Sequence, residues 1–534
     1  MKRIISVLAT LFVLLPLRAQ EIEKTALGQI FQALQAIEYF YVDTVNASQL
    51  AEAAIRGMLD RLDPHSEYLT PDQFKALNES LGGNFDGIGI RYQMSNDTLI
   101  VINTIPGGPS AKVGILSGDR ILRADGDPIS GVKMSNNDVQ KHLRGPKGTV
   151  VHLDVRRGRE NIAFDVTRDK IPVNSVNAAY MAAPGIGYIK VDRFAQTTPM
   201  EFATALDSLT ALGMTDLITD LQDNGGGLLT AAVELANFFI PAGKTVVYTQ
   251  GRNLSKEIYQ TFPGKKFQGR LVVLVDEESA SSSEIFTGAI QDYDRGVVVG
   301  RRTFGKGLVQ RQVMLPGDAM LKLTASHYYT PSGRCIQKPY EKGNRKDYYK
   351  DLLDRYNKGE YFSMDSIHFP DSLKYRTEGG RTVYGGGGIM PDVFVPLDTT
   401  MVTRTHRNII ARGTLNRYIL RYFSDNQRRL RKRYPTFRDF NGGFSVSDEM
   451  LQEIHDRAVA DSVKIDSAEW VGSLPLLSTQ VKAQIAADLY NDSAFSEIMN
   501  LTNRIYRRAL DMLLKGREYW EILHAESGAA NAAG

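Results

Sequence analysis

After Pro172 the chain alternates short, nearly all-apolar segments with amphipathic ones, and this alternation leaves few folds open. Ile186–Val191, Leu217–Leu221 and Leu271–Val275 read as strands, while Pro199–Leu212, Leu228–Ile240 and Ser282–Asp294 read as helices. Leu271-Val-Val-Leu-Val275 has no polar residue, so both of its faces must be covered. Strands of that kind, alternating with helices, specify a largely parallel sheet packed beneath helices. Gly296–Gly300, Leu308–Leu315 and Met320–Tyr329 continue the strand series.

The chain of 534 residues is too long for one such core, and ~100–200 residues per domain implies three domains or more. Residues 21–81 read as helical, because Ile30, Leu34, Ile37 and Phe40, then Leu50, Ala54 and Met58, recur every three or four positions. From Gly82 to Lys170 the pattern changes to short strands and Gly/Pro turns, a compact module of its own. Residues 338–362 hold 12 charged side chains in 25, so they read as the solvated part of an insertion running to about 386. Gly385–Gly388 reads as a hinge. Thr403–Gly516 is helical in pattern, and its run Arg428-Arg-Leu-Arg-Lys-Arg433 reads as a solvated helix face. A tail from Ser527 reads as disordered. The expected division is a leader over 1–19, a helical segment over 20–81, the strand-rich module over 82–170, the α/β core over 171–400 and a helical extension over 401–534.

Composition removes several classes of function. A single cysteine, Cys335, excludes an internal disulfide framework and a multi-cysteine metal site. The eight histidines show no metal-ligand spacing, so neither metal nor cofactor is expected. A net charge of +3 gives no reason to expect nucleic acid. Lys2 and Arg3, an apolar run from Ile4 to Leu17, and then Arg18-Ala19-Gln20 have the three-part layout of a secretory signal cut after Ala19. The run is shorter than the ~20 residues that span a bilayer. An exported protein of the periplasm or cell envelope is the expectation. An uncleaved anchor is the alternative, since Leu17 stands where a small residue is usual.

Three stretches could carry chemistry. Asp276-Glu-Glu-Ser-Ala-Ser-Ser-Ser-Glu-Ile285 lies between a buried strand and a helix, where unpaired helix N–H groups can stabilise an oxyanion. Ser281 with Glu284 is also a plain capping box, and serines at 279, 281, 282 and 283 leave the nucleophile open. Gly300-Arg-Arg-Thr-Phe-Gly-Lys306 begins like a phosphate loop, but Gly307 stands where a magnesium-binding hydroxyl belongs and no helix follows. Lys306 can instead be a base if burial favours its neutral amine, and Gln310, four residues on, can orient it only if the chain bends near Gly305 or Gly307. Asp220-Leu-Gln-Asp-Asn-Gly-Gly-Gly-Leu228 can bring backbone N–H groups close to a substrate, or it can be an ordinary tight turn. His327 reads as a structural histidine rather than part of a Ser-His pair, and His65 as a turn element.

Together, Ser279-Ala-Ser-Ser-Ser-Glu-Ile285, Thr303-Phe-Gly-Lys-Gly-Leu-Val-Gln310 and Tyr328-Tyr-Thr-Pro-Ser-Gly-Arg334 resemble the C-terminal processing peptidases, or tail-specific proteases. Gly57-Met-Leu-Asp-Arg-Leu-Asp-Pro-His-Ser66, Phe85-Asp-Gly-Ile-Gly-Ile90, Arg144-Gly-Pro-Lys-Gly148 and Gly388-Ile-Met-Pro-Asp392 extend the resemblance in the family's order over about residues 30–396. Departures are Asn224-Gly-Gly-Gly227 for the common Asn-Pro-Gly-Gly, Gln222 for a common arginine, Ser282 for a frequent alanine, and the insertion.

The resemblance implies an α/β fold, a crotonase-like helix-and-sheet peptidase core interrupted by a PDZ domain. A helical N-terminal segment and a helical C-terminal extension flank it. It also implies a serine endopeptidase that forms an acyl-enzyme with a Ser-Lys dyad. Ser281 would be nucleophile, Lys306 general base and Gln310 its orienting partner. The N–H of Ser282 and that of Gly226 or Gly227 would form the oxyanion hole. Gly87, Ile88, Gly89 and Ile90 would present N–H groups to the terminal carboxylate of a peptide that adds as a strand. The expected partners are proteins or peptides with a free C-terminus, and the helical regions are candidates for self-association. A second reading keeps the chain as a PDZ-type peptide-binding scaffold with a locked or inactive peptidase site.

Overall fold

The computed structural model describes residues 17–95 and 97–525, which divide into two compact units. The first takes the N-terminal residues through Pro71 together with Gln310–Thr324 and Tyr340–Tyr348; the second takes the remainder. The expected leader falls almost wholly outside the described residues, as does the tail from Ser527. No described helix is long and apolar enough to cross a membrane.

The second unit is built on a six-stranded sheet in the order Val176–Ala183, Ile186–Val191, Asp216–Asp220, Leu271–Val275, Val297–Gly300, Val393–Phe394. The first pair is antiparallel and the rest are parallel. The apolar alternation explains this arrangement, because each parallel step needs a crossover that returns over a sheet face. The helices Thr198–Ala211, Leu229–Ala236 and Ser282–Asp292 lie on the first three of those crossovers. They cover one face, where Leu217, Leu271, Val273, Val275 and Val298 pack with Phe202, Phe239 and Phe286.

The opposite face meets the end of the chain. Side chains alternate across a strand, so Val272, Leu274, Val297 and Val299 point away from the crossover helices. There they pack on Ile505, Tyr506, Met512, Leu513, Tyr519 and Leu523. Helices Arg504–Lys515 and Arg517–Leu523 therefore complete the sheet's core. A separate apolar core joins the helices between Arg404 and Met499. Its basic run is exposed apart from Leu430, in keeping with a solvated helix face.

A strand-rich module interrupts the second unit. Asn84–Gly87 pairs antiparallel with Asp169–Pro172 and closes the segment, so its two ends meet. Inside it, strands around Ile90–Ser95, Thr98–Thr104, Arg120–Ala124, Val150–Arg157 and Glu160–Thr167 enclose Leu99, Val101, Ile121, Val151 and Val155.

The first unit contains helices Leu17–Phe40 and Ala47–Leu59, and a short strand, Glu67–Leu69, paired antiparallel with Met320–Lys322. Asp63 caps the turn between them, accepting the N–H groups of His65 and Ser66. Leu27, Ile30, Phe31 and Ile37 stay exposed along the first helix.

Two expectations need correction. The charged segment 338–362 is not a solvated appendage, since Lys338, Tyr348, Arg355 and Tyr361 are buried. Gly385–Gly388 is not a hinge. The N–H groups of Gly386 and Gly388 bond to Cys335 O and Ile336 O, and a side chain at Gly388 would press within 2.6 Å of Thr303 O. Those glycines permit close packing rather than bending.

Candidate active site

The buried strand Leu271–Val275 ends at Asp276, and the chain turns through Ser279–Ser281 into helix Ser282–Asp292. The four serines separate by what their hydroxyls do. Ser279 Oγ donates to Leu221 O at 2.7 Å, Ser283 Oγ to Asn224 O at 2.8 Å and Ser282 Oγ to Gly227 O at 3.0 Å. These three fasten the serine loop to the glycine turn and are buried. Ser281 is the half-exposed member of the set, at φ 56° and ψ −114°. A non-glycine residue there costs roughly 1–3 kcal/mol and persists only where its surroundings impose it.

Glu284 supplies much of that imposition. Its carboxylate is fully buried and accepts the N–H of Ser281 at 2.8 Å, the capping-box bond expected from sequence. It also accepts Thr303 Oγ1 at 2.5 Å, Gly305 N at 2.7 Å and Lys306 N at 2.9 Å. Burial raises its pKa above the ordinary carboxylate value, with those four donors opposing the rise. Tyr328, buried on its strand, places its hydroxyl 3.0 Å from Ser281 O and 2.7 Å from Lys306 O. One carboxylate and one phenol thus grip both main chains. The local sequence marks Glu284 only as a helix cap and gives no sign of what the Tyr328 hydroxyl holds. Lys306 is half-buried, on an irregular stretch that enters the strand Leu308–Met314 rather than a helix.

The glycine turn follows strand Asp216–Asp220. Gly226 has φ 97°, and an added Cβ would lie 2.7 Å from Ala280 O and Ser281 Cβ. Its N–H is donated to Asn224 Oδ1 at 2.8 Å. That bond engages the N–H that its candidacy as an oxyanion donor requires, and Gly226 packs close against the serine loop instead. At Gly227, φ 147°, a Cβ would lie 2.1 Å from Phe194 O, so no larger residue fits.

Gln310 belongs to the first unit, where its amide reaches Thr324 Oγ1 at 3.5 Å, the long limit of a hydrogen bond. Thr324 Oγ1 in turn donates to Asp63 Oδ1 at 2.6 Å. His65 has its ring 2.9 Å from Tyr348 OH, and the His327 ring sits 4.0 Å from Cys335 Sγ.

A concavity of about 550 Å3 opens in the strand-rich module between strand Ile90–Ser95 and helix Asn136–Leu143. Ile88, Gly89, Ile90 and Leu143 line it, Gly89 at φ 72°. Gly87 is paired in the closing strand. Arg144, stacked on Phe85 at 4.3 Å and paired with Glu79 at 2.8 Å, and Arg91 add cationic groups to its wall.

These features can be set beside known proteins. Residues 185–348 match peptidase family S41, 87–167 a PDZ domain, and 16–73 the N-terminal domain of the activating protease CtpB. Residues 405–491 match a family of unknown function, DUF8443. The carboxy-terminal processing protease CtpA of Bacillus subtilis (strain 168) is 34% identical over 60% of this chain and 69% of its own length. The chain belongs to the C-terminal processing peptidases of family S41. A probable CtpA-like serine protease of Staphylococcus aureus (strain MRSA252) is 36% identical over 59% of this chain, which spans 63% of that relative's length. Among solved structures, a photosystem II D1 C-terminal processing protease is 30% identical, with 57% of this chain covering 89% of that one at a TM-score of 0.32.

Beneath the serine loop this S41 member buries another carboxylate. Asp276 accepts the N–H groups of Asp223, Glu278 and Ser279, each at 3.1 Å, joining the glycine turn to the serine loop. Burial, then the charges of Asp223 and Glu277, push its pKa up to about 7. The folded form therefore binds a proton that the unfolded chain releases above pH ~4. The stability is present in acid and lost as pH rises towards 7. Between pH 5 and pH 8 the loss from this one group should be about 2–3 kcal/mol. Denaturant melts at the two pH values should show it, and Asp276→Asn should flatten that part of the slope. Asp488, raised to about 6 chiefly by burial, will leave a residual slope of the same sign.

Proposed function

We propose that this chain is an exported serine endopeptidase that captures protein C-termini in its PDZ cleft and hydrolyses peptide bonds with a Ser281–Lys306 dyad. The observation that carries the reading is the shared grip of Glu284 on the Ser281 and Lys306 main chains. In this reading Lys306 Nζ takes the Ser281 Oγ proton as Oγ attacks the scissile carbonyl. The oxyanion is received by the N–H groups of Gly227 and Ser282. The lysine then gives its proton to the leaving amine, and water hydrolyses the acyl-enzyme by the same route in reverse. Gln310 is assigned to orienting the lysine. Export rests on the charged start, the apolar run and Ala19. Self-association is assigned to the exposed apolar face of helix Leu17–Phe40.

Ile88, Ile90 and Leu143 suit an apolar last side chain, while the Ile88–Ile90 turn that lines the cleft suits its carboxylate. An unfolded substrate with an apolar C-terminus should be cleaved, and amidating that C-terminus should slow cleavage by about tenfold or more, the value of a charge-assisted hydrogen bond. An unchanged rate would reject PDZ capture. A chain that binds the tail but neither cleaves it nor reacts with a fluorophosphonate probe would favour the scaffold reading.

A further inference from the structure

The stretch Arg301–Gly307 that carries Lys306 has no regular secondary structure, and most of it is buried. Buried carbonyls in such a stretch need partners from elsewhere. They come from the insertion. Arg355, 2% exposed, donates Nη1 to Thr303 O at 3.1 Å and Nη2 to Arg302 O at 2.6 Å. Glu360 fixes this guanidinium, with its carboxylate 3.4 Å from Arg355 Nε, and pairs with Arg302 as well. Lys338, 4% exposed, donates its main-chain N–H to Gly305 O at 2.9 Å. Its ammonium lies 3.9 Å above the Phe304 ring and is held by Asp351 at 2.9 Å. Gln337 Oε1 accepts the N–H of Gly307 at 2.8 Å. Every residue from 302 to 305, and Gly307, is thus tied on this side, while Glu284 ties Thr303, Gly305 and Lys306 on the other.

We infer that the insertion is a built-in brace for the lysine loop, and that Arg355, seconded by the Lys338–Asp351 pair, is a positioning residue for Lys306. Arg355 suits the task because its planar fork can serve two successive carbonyls at once. Loss of the fork takes the partner from the buried Thr303 carbonyl and the half-buried Arg302 carbonyl and lets the loop relax. A shift of about 1 Å in a group that must meet a proton can cost about 10²-fold.

The inference rests on the Ser-Lys reading, so the test carries its controls. Wild type, Lys306→Ala, Arg355→Ala, Arg355→Lys and Asp351→Asn would be compared as full chains for kcat, KM and the pH profile of kcat/KM. Fluorophosphonate labelling of Ser281 would be read in parallel. Arg355→Ala should lower kcat about 10²-fold with KM little changed, displace the pH profile, and recover part of its rate in added guanidinium at non-denaturing concentration. Arg355→Lys should fall between it and wild type. A folded Arg355→Ala chain with wild-type kcat and pH profile would overturn the brace while leaving the dyad intact. If that variant fails to fold, Asp351→Asn decides: a lower kcat with a displaced pH profile supports the brace, and a wild-type profile overturns it. Undiminished cleavage by Lys306→Ala would sink the dyad itself, a distinct result.

Discussion

Alanine at Lys306 is expected to lower kcat/KM on an unfolded protein by at least about 10⁴-fold, and alanine at Ser281 should do the same. The size follows from the lack of a substitute in the described surroundings. Glu284 already accepts four hydrogen bonds, Asp276 accepts three main-chain N–H groups, and the His327 ring lies against Cys335. None is arranged to take a proton from Ser281. In the proposed dyad the two residues act as one unit, so the double variant should be no slower than either single one. Steady-state cleavage assays on chains matched for far-UV circular dichroism check this. Activity within tenfold of wild type in either single variant would remove the dyad.

Deleting the chain from Arg504 onward should abolish cooperative folding of the larger unit. The segment removes Ile505, Tyr506, Met512, Leu513, Tyr519 and Leu523 from contact with the sheet. At ~1.5–3 kcal/mol per large apolar side chain, the gross loss is about 10–15 kcal/mol, the size of a whole domain's stability. The ordering cost of those helices disappears with them, but Val272, Leu274, Val297 and Val299 would then face water. The expected result is insoluble protein, or soluble protein with no sigmoidal melt. A truncated chain that melts within a few degrees of the full one would show that the helices merely lean on the sheet.

The distance over which a signal acts explains what could be read from sequence. The apolar strands and their helices were legible, since each announces itself within a dozen residues and the strand Leu271–Val275 declares both faces covered. What covers the second face was not. Helix Arg504–Lys515 shows an apolar stripe with charges between, a pattern that names no partner, and its partner lies some 230 positions upstream. Charge density is a poor guide to the insertion, because Arg355 and Lys338 serve loop carbonyls rather than solvent. The serine cluster stayed ambiguous for a similar reason. Which hydroxyl is exposed depends on carbonyls of the glycine turn more than fifty residues earlier. Glu284 shows the limit most sharply: its signature at three residues from Ser281 is that of any helix cap, and nothing local reveals that it also holds residues 303–306. Gly226 stands in a glycine run that locally offers its N–H groups, yet Asn224 Oδ1 engages that of Gly226.

The left-handed backbone at Ser281 also limits what could ever replace it. A side chain branched at Cβ is badly strained at that φ, so threonine is shut out although it offers the same hydroxyl. Cysteine, unbranched and only slightly larger, fits the same corner. Replacement at this position is thereby confined to residues unbranched at Cβ, and among those cysteine keeps a nucleophilic group on a side chain of nearly the same size.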